Sequence, residues 1–296
     1  MPVAHNTVSQ NSIDDFFVCI GAQKAGTTWL ASVLARHPEV FFTPVKEIHY
    51  FDSVHLGSRH LSEALRAVRL RKFYRRLAAN PGRLRELAAQ RRWYRDYRRG
   101  PIDDAWYVRL FDRAHRGSAW LAGEATPEYA ALGQAGLTHL SGLAPRARLL
   151  FIMREPVARA WSAVQHHCRR RRVRAEALTV EAVDAIVNDA EFVQLGDYAA
   201  TLSALAAVFG PAQVWLGFHE DLHEDRQAAI EGICGFLSIP AAPLLNLPLG
   251  RRVNRSRNVE PPAAVRAHLR EICRPTVDAV AARLGRVPDV WLREFD

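Results

Sequence analysis

The sequence predicts an α/β fold: a doubly wound parallel sheet flanked by helices, with a helical arginine-rich insertion. Three observations carry this expectation. Short, wholly apolar runs occur at 16–20 (FFVCI), 149–153 (LLFIM) and 214–218 (VWLGF). Uninterrupted runs of this kind suit strands covered on both faces, as in a parallel sheet. Each run leads at once into a turn and a helical pattern, and strands alternating with helices give parallel crossover topology. The chain has 296 residues, 49% of them hydrophobic. That is enough for one substantial core, so a tail at 1–15 and a single domain at 16–296 are expected.

The elements follow in order. The first strand ends at Gly21. A helix runs from about Gly26 to Arg36 and stops before Pro38, because the residue preceding proline disfavours helical backbone. Val40 to Phe42 is a second short strand, followed by TPVKEIHYFD. Residues 59–99 have a helical period and many arginines, broken at Asn80-Pro81-Gly82; the insertion as a whole is placed at 59–122. A further helical stretch covers 104–115. After the strand at 149–153, Pro156 opens a helix that continues to about Arg170. The strand at 214–218 leads into HEDLHED and the next helix. Ligands of such sheets sit beyond the carboxyl ends of strands. Gly21, Arg154 and His219 each follow a strand, so they are expected to converge.

The net charge of +9 and a pI near 9.9 favour anionic ligands. Only three of the 40 basic residues are lysines: Lys24, Lys46 and Lys72. Arginine therefore supplies the general surface charge, and a lysine is the more informative residue. The four cysteines are scattered, with no C-x-x-C pair for zinc or redox chemistry. The N-terminus lacks the basic stretch and apolar core of a signal peptide. No apolar stretch approaches the ~20 residues needed to span a bilayer. A soluble, cytoplasmic protein is expected.

The stretch GAQKAGTT (21–28) is P-loop-like. Gly21 and Gly26 have the spacing of G-x-x-x-x-G-K-[ST], and Thr28 fills the last position. Thr27 stands where the lysine belongs, and the lysine is at Lys24 instead. Backbone N–H groups at a helix start attract anions, and glycine permits close approach. Thr27 and Thr28 add hydroxyls and Lys24 a charge. The alternative is a tight turn whose threonines merely cap the helix. An ATP-dependent kinase would need an acidic metal ligand after a downstream strand, and Met153 leads into Arg154 instead.

Taken together, QKAGTT, KEIHYFD (46–52) and REPVARAWS (154–162) resemble sulfotransferases that use 3′-phosphoadenosine 5′-phosphosulfate (PAPS), in particular the carbohydrate branch with the heparan sulfate enzymes and bacterial relatives. GEATPEY (123–129), FHEDL (218–222) and the stretch at 250–258 also match, in order, while 59–100 is not covered. The resemblance implies sulfuryl transfer to an acceptor hydroxyl of a carbohydrate or glycoconjugate, with adenosine 3′,5′-bisphosphate (PAP) as product and no metal. It implies that Lys24, Ala25, Gly26, Thr27 and Thr28 hold the 5′-phosphosulfate, with Lys24 beside the leaving group. Arg154 and Ser162, eight residues apart, would hold the 3′-phosphate. Asn254, Arg255 and Ser256 would close over the cofactor.

The resemblance puts the catalytic base at Glu47, with His49 beside it. Residues 47 and 49 point the same way if the segment is extended. Lys46, Asp52, Glu124, Thr126 and Tyr129 are implied on the acceptor side. In heparan-type relatives the position of Ala125 often carries lysine; here that charge is missing or supplied elsewhere. Other readings stay open: Arg154 paired with Glu155, Ser162 as a packing hydroxyl, Glu47 as a solvated partner of Lys46, and His49 as a structural histidine. Arginines with Trp93, Tyr94 and Tyr97 in the insertion suit an anionic sugar acceptor or nucleic acid, or the aromatics pack inward. A non-catalytic nucleic-acid-binding module is the second alternative to an enzyme, although no nucleic acid partner is expected. Oligomeric state is not encoded in any of these features.

Overall fold

The computed structural model describes residues 12–79, 84–250 and 259–296. Five strands form one wholly parallel sheet in the order β2-β3-β1-β4-β5. They are β1 (Phe16–Gly21), β2 (Val40–Phe42), β3 (Leu121–Ala125), β4 (Arg148–Met153) and β5 (Val214–Phe218). From β1 the chain crosses to the edge at β2, comes back to place β3 between β2 and β1, then crosses β1 and builds the other half through β4 and β5. The switch in direction lies at β1, so the crevice beyond its carboxyl end is the expected ligand site.

Every residue of β1 is buried. Its neighbours on both sides explain the unbroken apolar run: Phe17 pairs with Gly123 of β3 and with Arg148 of β4. Gly123 is required there, because a Cβ would come within 2.3 Å of the Phe17 ring. The sequence did not mark LAGEA as a strand. Alanine and glycine give it little β-propensity, and its place comes from pairing to β1 and β2.

Helix α1 (Thr27–Leu34) packs against β3 and β2; α2 (Tyr50–His55) begins within the KEIHYFD segment. The insertion is a pair of helices, α3 (Glu63–Ala79) and α4 (Leu84–Arg98), followed by short α5 (Asp104–Arg109) and α6 (Arg113–Arg116). Leu121 and Ala122 already belong to β3, so the helical part ends before the expected limit at 122. Trp93, Tyr94 and Tyr97 are buried rather than displayed. Trp93 stacks on Tyr97 with ring centroids 5.0 Å apart, and its indole N–H donates to the Leu110 carbonyl. Residues 93 and 97 share one helix face, and that face docks on α5. The exposed residues of α4 include Arg91, Arg92, Arg95 and Arg98.

Helix α7 (Gly133–Leu143) leads to β4, and α8 (Pro156–Arg171) follows it. Glu155 caps α8, its carboxylate accepting from the Val157 and Ala158 N–H groups. A second apolar cluster, with Trp161, Val164, Val183 and Leu269, fastens α8 to the helix Ala263–Leu284. All four cysteines are free and buried. Among the described residues no helix is long and apolar enough to cross a membrane.

Candidate active site

The loop between β1 and α1 is shaped to leave its amides open. Gly26 sits at φ +86, a left-handed conformation that glycine adopts without strain. A Cβ there would lie 3.1 Å from Cδ2 of His219, the first residue after β5. Gly26 is also the N-cap of α1, and no side chain caps that end. The threonines therefore do not close the turn. Thr27 is buried, and the Thr28 hydroxyl accepts from Lys46 Nζ at 3.3 Å. Lys24 too is held at φ +70, a conformation that costs a non-glycine residue energy. Burial, and then the charges of Arg169 and Arg154, hold its ammonium below the ordinary lysine range. Cations crowded in this way favour an anion between them.

Arg154 is the first residue past β4. Its guanidinium donates to the Lys24 carbonyl at 3.0 Å, while its backbone N–H donates to the Tyr198 hydroxyl. It does not pair with Glu155, whose carboxylate is committed to the cap of α8; burial pushes that carboxyl up to about 7. Two turns into α8, Ser162 lies on the same side. Arg154 and Ser162 line one cavity of about 110 Å³ together with Trp161, Gln165 and Arg266. The Trp161 indole and the Gln165 amide both donate to the Val259 carbonyl, at 2.6 and 2.9 Å. Asn254, Arg255 and Ser256 lie outside the described residues; Val259 lines this cavity.

The KEIHYFD segment crosses in front of the loop. Lys46 Nζ stands 2.7 Å from Glu47 Oε1 while also reaching Thr28, so it ties the loop to the carboxylate. Residues 47 and 49 do come together, although not through extended backbone: His49 has φ +62. His49 Nε2 lies 3.7 Å from Glu47 Oε2, and its Nδ1 donates to Asp52 at 2.9 Å. Burial opposes charge on both partners, and each outweighs that for the other. Glu47 is held down at about 2 by His49 and Lys46. His49 is pushed up to about 9 by Asp52, Glu47 and Glu128. At neutral pH the segment therefore presents a half-exposed carboxylate backed by a buried imidazolium.

Beneath the segment lies Glu124, with no exposed surface. It accepts from the Tyr107, Tyr129 and Thr126 hydroxyls and from the Ile48 N–H. Tyr129 accepts in turn from the Tyr50 N–H, and the Ala125 N–H donates to the Lys46 carbonyl at 3.2 Å. Asp52, Glu124, Thr126 and Tyr129 are all buried and turned to their own partners. They hold the segment from behind, while Lys46 and Glu47 form its outer side. Three neighbours were given no site role from the sequence: His219 of FHEDL, expected at a strand end and found against Gly26; Glu128 of GEATPEY, beside His49; and His60, which lies in no motif and stacks on His49 with centroids 4.2 Å apart. Each is brought in by tertiary packing from a distant element.

A family model described as the sulfotransferase family matches residues 16–243. The chain belongs to the sulfotransferase family. The fold of this sulfotransferase is shared by solved structures of low identity. A sulfotransferase from Alicyclobacillus acidocaldarius is 23% identical, with a TM-score of 0.63 over 94% of this chain and 98% of that one. The sulfotransferase domain of a Synechococcus olefin synthase is 19% identical, with a TM-score of 0.51 over 92% and 94%. A sulfotransferase from Mycobacterium avium is 13% identical, with a TM-score of 0.52 over 90% and 76%. No curated protein matches the chain.

Proposed function

We propose that this sulfotransferase moves a sulfuryl group from PAPS to a hydroxyl of an acceptor, leaving PAP. The observation that carries the reading is the joining of two anion sites: Arg154 reaches the Lys24 carbonyl of the loop and lines one cavity with Ser162. The open N-terminus of α1 with Lys24 and Thr28 suits a 5′-phosphosulfate. Arg154 and Ser162 suit the 3′-phosphate, which ATP does not carry. His219 borders the loop at Gly26, so it belongs to the donor side. Asn254, Arg255 and Ser256 are retained as candidates to cover the donor. When bound, PAPS supplies an activated sulfuryl group on a bisphosphate leaving group.

The residues of the chain then position and neutralise. Lys24 stabilises charge at the leaving group, and no metal ion is invoked. Lys46 touches both Thr28 and Glu47, and so supplies a second cation at the centre where Ala125 has none. Glu47 takes the proton from the acceptor hydroxyl. It is a weak base, and in a loose transition state the hydroxyl gives up its proton late, when it has become acidic. His49 and Asp52 orient Glu47. Glu124, Thr126 and Tyr129 support the segment from behind. A carbohydrate or glycoconjugate acceptor follows from the resemblance of the motifs. A test is donor consumption with sugar, lipid and small-molecule alcohols. Turnover is expected with a sugar-bearing alcohol and not with the donor alone; PAP binding without turnover on any alcohol counts against the acceptor assignment.

A further inference from the structure

Glu128 lies in the single 3₁₀ turn (Pro127–Ala131) that follows β3. Its two carboxyl oxygens face the two halves of the site. Oε1 accepts from Gln23 Nε2 at 3.3 Å, and Gln23 precedes Lys24 in the loop. Oε2 is 3.9 Å from His49 Nδ1, is buried, and has no hydrogen-bond partner among the described residues. A buried carboxylate oxygen without a donor is costly unless a charge compensates it. Here the compensating charge is the imidazolium. The other groups facing His49 are Glu47 with its partner Lys46, Asp52 from α2, and His60, whose carbonyl is held by Arg69 of α3. Of the groups in direct contact with His49, Glu128 also touches the loop, at Gln23 beside Lys24.

We propose that Glu128 is a positioning residue that couples the donor loop to the base: it holds Gln23 with one oxygen and sets the charge around His49 with the other. The inference rests on the reading of the loop as the donor site and of Glu47 as the base. The coupling has a definite sign. The Gln23 amide stabilises Glu128 as a carboxylate, and a carboxylate beside His49 favours the imidazolium. Loss of Gln23 removes the contact that holds the Glu128 carboxylate in place, and frees it to turn away from His49. His49 then loses part of its support and titrates at lower pH.

The test is the titration midpoint of His49 in the full chain, read by side-chain nitrogen NMR and assigned by its loss in His49→Gln. Glu128→Gln lowers the midpoint by removing a charge. Gln23→Ala lowers it too, by less than Glu128→Gln does, through the carboxylate. The same Gln23→Ala change has no effect in a Glu128→Ala background. An unmoved midpoint in Gln23→Ala, or an equal shift with and without Glu128, overturns the coupling. Glu128→Gln keeps the shape of the side chain, so it serves if Glu128→Ala fails to fold. The measurement uses neither donor nor acceptor, so it fails or succeeds separately from PAP binding.

Discussion

His49 is charged because Asp52 and then Glu47 stand beside it, and Glu47 because His49 and Lys46 do. Burial works against both, and the Glu47–His49–Asp52 chain reverses that. Glu47→Gln is expected to keep PAP affinity within about twofold while transfer falls ~10²–10⁴-fold, the usual worth of a general base. Full turnover in that variant would remove Glu47 from the role. Arg154→Ala should weaken PAP binding roughly 10–100-fold, as loss of a charged hydrogen-bond donor does; calorimetry reads it directly. At this scale the sequence was legible where a motif fixes both residue type and spacing, as for Lys24, Arg154 and Ser162. It could not tell which side of the segment Glu124 and Tyr129 occupy. Their roles depend on Tyr107 from α5 and on a backbone amide, both set by packing.

The elements divide in the same way. The β1 loop and the start of α8 were readable because glycine, proline and apolar runs act locally. β3 was not, since its five residues are strand only through their neighbours. Gly26→Ala tests the loop geometry. The left-handed backbone costs a side chain about 1–2 kcal/mol, and the new methyl meets His219. Lower melting temperature together with weaker PAP binding is expected; an unchanged affinity would separate the loop from the anion. In α4 the arginines suggested a binding face, while the pair at 93 and 97 belongs to the core. Trp93→Ala should cost about 3–5 kcal/mol in denaturant unfolding. Little loss would mean that the indole is not part of the core.

Over the whole molecule, the sheet reversal at β1 gathers Lys24, Arg154 and His219 from three strand ends, in line with the basic charge of the chain. The ionised cluster at the site also makes stability depend on pH. His49 is raised from an ordinary value near 6.5 to about 9. Its contribution is fully present below about 6.5 and is lost as pH rises through about 9. The melting-temperature gap between the wild type and His49→Gln should therefore shrink over that window. A gap independent of pH would contradict a charged His49.

The central claim is that the site is built for a 3′-phosphate as well as a 5′-anion. It is tested most directly by thermal-shift titration with PAP against ADP, in the wild type and in Arg154→Ala. Preferential stabilisation by PAP that disappears in Arg154→Ala is the predicted result. Equal stabilisation by ADP, or a PAP preference that survives the loss of Arg154, would contradict it.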